Sequence, residues 1–218
     1  FQKHYGDDLL SITSPFFLED IEGMSPVEAN VNLNEYIEYV KQPTPQIAGK
    51  FSFSKGSIEE LAMNKIPLSA SCYRVFGNHP ELQNDVNASP YFMEDWIPNL
   101  PESISTLLDR HFQPMHYLFF TAPQVRAFLH QDYWATHAYL AQLQGKKLVV
   151  MFSPKDSENV YWGKIRDPLW VDLEKFPLFA NAKPYVALIN PGDTAFIPSM
   201  WWHYVLLLLV LLESLCVC

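Results

Sequence analysis

The rhythm of apolar and polar positions changes about halfway along the chain. The first half reads as mixed, and its clearest signals are helical. Residues 34–41 (NEYIEYVK) place Tyr36, Ile37 and Val40 on one face of a helix. Ser25-Pro26-Val27-Glu28 has the form of a capping box with proline at the first helical position, and predicts a helix start. Ser57-Ile58-Glu59-Glu60 opens another short helix by the same capping logic. Residues 101–112 read as a third, with Ile104, Leu107 and Leu108 inward.

From residue 117 onward the pattern is that of strands. Residues 117–121 are an apolar, aromatic run. Residues 138–142 and 148–152 are short strand-like runs separated by a turn at Gln144-Gly145, and Ser153-Pro154 ends the second. Residues 185–189 form another, followed by the strong turn signal Asn190-Pro191-Gly192-Asp193 and by a strand over 194–197 that Pro198 stops. Short strands at close spacing, divided by Pro and Gly turns, predict an antiparallel barrel or jelly roll. The chain shows no internal repeat, and its one biased stretch is the Leu-rich tail.

Composition narrows the function classes. The 218 residues suffice for one domain with a full core, and 49% hydrophobic with 15% aromatic residues is a globular composition. A net charge of −9 argues against a broad nucleic-acid-binding face, which needs clustered Lys and Arg. The three cysteines, Cys72, Cys216 and Cys218, do not form a disulfide framework, so a reducing cytoplasmic or nuclear compartment is expected. The chain opens on Phe1, so its native start is expected upstream, and no signal peptide pattern is visible. The longest apolar run, 205–212, is eight residues, against the ~20 a membrane-spanning helix needs. No membrane partner is expected, and the oligomeric state is not legible.

The candidate chemistry begins at His130-Gln131-Asp132. On extended backbone, residues i and i+2 point to one side, so both side chains can reach one metal. A third ligand must come from elsewhere, and His203 follows 71 residues after Asp132. Two His and one carboxylate on one face of an ion make the facial triad of non-haem Fe(II) oxygenases, with the opposite face open. A His-x-Asp pair is common on protein surfaces without any metal. Here, however, Phe128 and Leu129 precede it and strands follow, and polar residues in a buried barrel wall need a partner.

At this point the residues resemble a family. Segment 130–154 (HQDYWATHAYLAQLQGKKLVVMFSP) is similar to the JmjC core, and 172–205 is closer still through its phrase PGDTAFIPSMWWH. The chain resembles the JmjC, cupin-like oxygenases over roughly residues 33–205, in particular the hydroxylase subgroup that includes the asparaginyl hydroxylase of hypoxia-inducible factor. The resemblance implies a mainly β fold with flanking helices, a double-stranded β-helix or jelly roll. Residues 1–112 would be a mixed segment packing on the barrel, 113–205 the barrel core, and 206–218 an atypical tail. It implies Fe(II) on His130, Asp132 and His203, and 2-oxoglutarate as co-substrate with its distal carboxylate held by Lys147 and Tyr73. A buried carboxylate needs a cation, and alternation puts Lys147 on one face with Val149 and Met151. Trp201 and Trp202 are expected to wall the metal site, with plain core the alternative for either, and His137 is expected to be a pocket or surface residue.

Two departures stand out. Relatives often carry a hydroxyl three residues before the first metal His, where this chain has Ala127. After Val205 the sequence LLLLVLLESLCVC does not resemble the family, so a barrel short of its closing strand is expected. The expected activity is hydroxylation of a side chain in a protein or peptide substrate. A catalytically impaired binding protein, a lysine demethylase, a tRNA hydroxylase and a cupin without 2-oxoglutarate stay open beside it.

Overall fold

A computed structural model of the chain describes residues 2–14, 25–85, 100–104, 106, 117–209 and 216–217. The first half holds α1 (Gln2–Tyr5), β1 (Leu9–Thr13), β2 (Glu28–Asn32), α2 (Leu33–Lys41), α3 (Pro45–Ala48), β3 (Ser52–Lys55), α4 (Ile58–Asn64), β4 (Ser69–Tyr73) and α5 (Val75–Asn78). The second holds β5 (Leu118–Thr121), β6 (Arg126–His130), β7 (Ala138–Gln142), β8 (Lys146–Phe152), β9 (Tyr185–Ile189), β10 (Thr194–Ile197), β11 (Trp202–Leu209) and β12 (Cys216–Val217). All pairings are antiparallel. They make an eight-stranded sheet, β10-β7-β12-β5-β4-β1-β2-β3, and a four-stranded sheet, β6-β11-β8-β9. This is the jelly roll that the strand spacing predicted.

The predicted helix at 34–41 is α2. Asn32 caps it, its side chain accepting from the Glu35 amide at 2.9 Å while Glu35 reaches back to the Asn32 amide at 3.2 Å. Tyr36, Ile37 and Val40 are buried against the larger sheet. The Tyr36 hydroxyl accepts from the Ala70 amide at 3.0 Å and lies 2.9 Å from the Phe120 carbonyl, which ties α2 to β4 and β5. The Ser57 signal likewise opens α4, with Ser57 accepting from the Glu60 amide at 3.3 Å. Most of 101–112 lies outside the described residues.

Three expectations are corrected. The helix start at Ser25-Pro26-Val27-Glu28 is instead the approach to β2. Val27, Ala29 and Val31 are buried while Asn30 is exposed, and this period of two, matched to β1 over five residue pairs, outweighs a four-residue capping pattern. The N-terminal segment does more than pack on the barrel, because β4 pairs with β5 and the sheet runs across residue 112. The closing strand is also present. β11 ends at Leu209, and β12 inserts between β5 and β7, with Val217 opposite both Leu118 and Ala141.

The four-stranded sheet has two distinct faces. Leu148, Val150 and Phe152 of β8 and Trp202, Tyr204 and Leu206 of β11 pack outward on Val160, Phe179 and Ala182. Val149 and Met151 of β8 and Val205 of β11 pack inward on Phe119, Leu140 and Ala195 of the larger sheet. That inner layer is the floor of the site. Among the described residues, no helix is long and apolar enough to cross a membrane.

Candidate metal centre

His130 ends β6 and His203 lies near the start of β11, directly opposite it in the ladder. Their alignment depends on a bulge. His203 pairs with His130 and Val205 with Ala127, so β6 spends three residues where β11 spends two. The extra residue puts His130 and Ala127 on one face, the face of His203 and Val205. Asp132 follows on extended backbone (φ −67°, ψ 149°), which aims its carboxylate back to the same side as His130.

The three side chains converge. Nε2 of His130 lies 3.7 Å and Nε2 of His203 3.5 Å from Oδ1 of Asp132, and one donor atom from each residue lies within 4.8 Å of the others. Each imidazole is oriented through its other nitrogen. Nδ1 of His130 is 2.6 Å from the Phe128 carbonyl, and Nδ1 of His203 is 3.2 Å from the Trp201 carbonyl. A carbonyl only accepts, so each Nδ1 carries the proton and each Nε2 presents a lone pair to the centre. Burial, and then the neighbouring His203, hold the His130 pKa down at about 3, so this ring is neutral and ready to ligate at physiological pH. This donor set, two imidazoles on adjoining strands and one carboxylate on the loop after β6, fits a divalent transition metal of the non-haem iron type.

The loop that carries Asp132 is stapled to the loop before His203. The Gln131 side-chain amide donates to the Met200 carbonyl, the Ser199 hydroxyl donates to the Ala135 carbonyl at 2.6 Å, and the Ser199 amide donates to Nδ1 of His137 at 3.0 Å. His137 also stacks on Phe196, with centroids 5.4 Å apart. It does not join the metal cluster. Sequence reasoning missed these contacts, because they join loops 62–69 residues apart and use backbone atoms.

Lys147 is buried on the inner face of β8, 4% exposed, while Lys146 beside it is exposed. Its ammonium lies 5.8 Å from the centre of the Phe119 ring. No carboxylate among the described residues pairs with it.

Tyr73 does not join this group. A register shift between Ala70 and Tyr73 puts Tyr73 opposite Leu118, on the side of the sheet away from Phe119. Its hydroxyl donates to Asp8, which also binds Nε2 of His79 at 2.7 Å, and burial with that carboxylate pushes the phenol pKa up. The geometry therefore does not support a co-substrate role for Tyr73. Trp202 is likewise no wall of the metal site. It lies on the opposite face of β11 from His203, with its indole nitrogen donating to Ser157 at 2.9 Å. Trp201 packs edge-on to Tyr185, with ring centroids 5.2 Å apart.

Comparison with known proteins agrees with this architecture. The family model for the cupin-like domain matches residues 4–217, and the chain belongs to that JmjC-type family. It is 30% identical over 135 residues to tRNA wybutosine-synthesizing protein 5 of Danio rerio, covering 58% of this chain and 40% of that protein. It is 36% identical over 78 residues to Jumonji C domain-containing protein 5 of Drosophila melanogaster (32% of this chain, 19% of that protein). With lysine-specific demethylase 8 of Xenopus tropicalis it shares 34% identity over 85 residues (35% and 19%). The chain thus spans at most 40% of the length of any of the three.

Proposed function

We propose that the chain is an Fe(II)- and 2-oxoglutarate-dependent oxygenase that hydroxylates a side chain of a protein substrate. The observation that carries this is the pairing of two features in one barrel: the His130, Asp132 and His203 cluster, and a buried cation, Lys147, with no carboxylate partner among the described residues. A buried ammonium is costly unless an anion joins it. A dicarboxylic co-substrate supplies that anion at one end and a chelating group at the other.

His130, Asp132 and His203 would hold the iron, which, with 2-oxoglutarate and O₂, supplies the chemistry that turns C–H into C–OH while the co-substrate becomes succinate and CO₂. The protein's part is positional. The carbonyls of Phe128 and Trp201 fix the imidazole tautomers. Lys147 orients the co-substrate by its far carboxylate. Val149, Met151, Val205 and Leu140 keep water out of the interior. The net charge of −9 favours a protein over a polyanionic substrate.

The test is anaerobic binding of 2-oxoglutarate to Fe(II)-loaded protein, followed by succinate release on admitting O₂. Lys147→Met should weaken co-substrate binding roughly tenfold to a hundredfold, the cost of a lost charge-assisted hydrogen bond, and spare metal binding. Equal co-substrate affinity in that variant would remove Lys147 from the reading. A second reading, a tRNA-modifying enzyme, is favoured by the match to a relative named for tRNA wybutosine synthesis. Stimulation of succinate release by tRNA and not by protein would decide for it.

A further inference from the structure

Among the described residues, the barrel interior holds a second polar group without a partner. Thr121 is 6% exposed, and its hydroxyl oxygen is buried with no hydrogen bond among the described residues. Threonine can bury a hydroxyl cheaply by returning it to a nearby carbonyl, so an orphan of this kind calls for a ligand or a water. Its placement indicates which. Thr121 and Phe119 are two residues apart on β5, hence on one face and about 6.6 Å apart along the strand. Phe119 faces the interior and is the ring over which the Lys147 ammonium lies.

The backbone brings the same two residues to one end of the barrel. Lys147 pairs with Leu207, whose amide donates to the Val125 carbonyl at 3.0 Å and whose carbonyl accepts from the Gln124 amide at 3.1 Å. Gln124 and Val125 belong to the turn that directly follows Thr121. A cation with no carboxylate partner and a hydroxyl with no hydrogen bond, both at this end and both so among the described residues, form the two halves of a carboxylate seat.

We propose that Thr121 is a second protein ligand for the distal carboxylate of the co-substrate, donating its hydroxyl beside Lys147. This rests on the 2-oxoglutarate reading above. It assigns the hydroxyl to β5, since β6 offers only Ala127 on the face shared with His130. It also gives a reason for Thr in place of the nearly isosteric Val at this strand end, where the buried Ser69 stands opposite.

The experiment loads the whole chain with Mn(II) under anaerobic conditions and titrates two acids, 2-oxoglutarate and 2-oxobutyrate. Both have the chelating 2-oxo acid head, and only the first has a distal carboxylate. Thr121→Val should bind 2-oxoglutarate roughly three- to tenfold more weakly, the range for one neutral hydrogen bond. It should bind 2-oxobutyrate as the wild type does, and without ligand it should melt no lower than the wild type, since a buried unpaired hydroxyl has been removed. Thr121→Ser should restore 2-oxoglutarate binding. If Thr121→Val binds 2-oxoglutarate as the wild type does, the hydroxyl serves a buried water only and the proposal fails. If both acids weaken equally, the residue is structural and the proposal again fails. Wild-type protein that binds neither acid would overturn the oxygenase reading itself, and this assignment with it.

Discussion

His203 stands directly opposite His130 across the β6–β11 ladder, with ring centroids 4.1 Å apart and planes inclined at 52°. Two imidazoles this close, both presenting Nε2 to one carboxylate oxygen, have little reason to be neighbours without a shared cation. Among the described residues they form the one cluster of three donor groups that can hold a metal ion.

Asp132→Ala should therefore cost more metal affinity than the roughly 10- to 100-fold typical of losing only a supporting hydrogen bond around a ligand. The carboxylate is the one anionic donor in the set. Titration with Co(II), read by its visible bands, measures the loss. Melting of the metal-free protein should change little, since the Asp132 side chain is 29% exposed. Unchanged Co(II) affinity would remove Asp132 from the ligand set.

His137 should affect the metal without touching it. Its Nδ1 accepts from the Ser199 amide, which holds the Asp132 loop against the approach to His203. His137→Ala should lower Co(II) affinity severalfold. His137→Asn should restore much of it, because the Asn side-chain oxygen occupies nearly the position of Nδ1 and accepts the same bond. Equal loss in both variants would mean that stacking on Phe196 matters and the hydrogen bond does not.

Much of this site was legible because its signals are local. His130 and Asp132 are two residues apart, so extended backbone alone puts them on one side. The strands at 185–189 and 194–197 match β9 and β10 residue for residue, because Pro184, the Asn190–Asp193 turn and Pro198 punctuate them. What stayed hidden depends on register. The bulge that turns His130 inward and the shift that turns Tyr73 away each add one residue to a strand, and each reverses a facing without any change of composition. Trp202 falls to its core alternative for a related reason. Being next to a metal ligand in sequence means facing the other way on a strand. The Ser25 capping pattern lost to a sheet that sequence reading cannot see, since β1, its partner, lies 15–23 residues away across each pair.

Gly163 should be intolerant of any side chain. Its φ of +77° suits glycine, and a β-carbon there would come 2.5 Å from the Trp202 ring. Gly163→Ala must move the indole that anchors β11 next to His203, and should cost about 1–3 kcal/mol of stability. Denaturant unfolding followed by Trp fluorescence measures it. A stability within 0.5 kcal/mol of the wild type, the usual range for a neutral surface change, would show that the Trp202 packing is loose.

The tail offers the sharpest structural test. β12 is two residues long, yet it sits between β5 and β7, and Val217 is paired to both sides, opposite Leu118 and Ala141. An inserted strand has no free edge, so the backbone N–H of Val217 is needed by one neighbour or the other. Val217→Pro removes that donor and leaves an acceptor in β5 or β7 without its partner, at a cost of about 1–3 kcal/mol. Amide exchange should quicken at Leu118 and Ala141, and much less across the β8–β11 ladder, which lies in the other sheet. Co(II) affinity should hold, because the three metal donors sit on β6, β11 and the loop after β6. If exchange at Leu118 and Ala141 does not change, β12 is not what joins the halves of the larger sheet. The gap between β5 and β7 would then be an open edge, and the solubility of the chain should suffer accordingly.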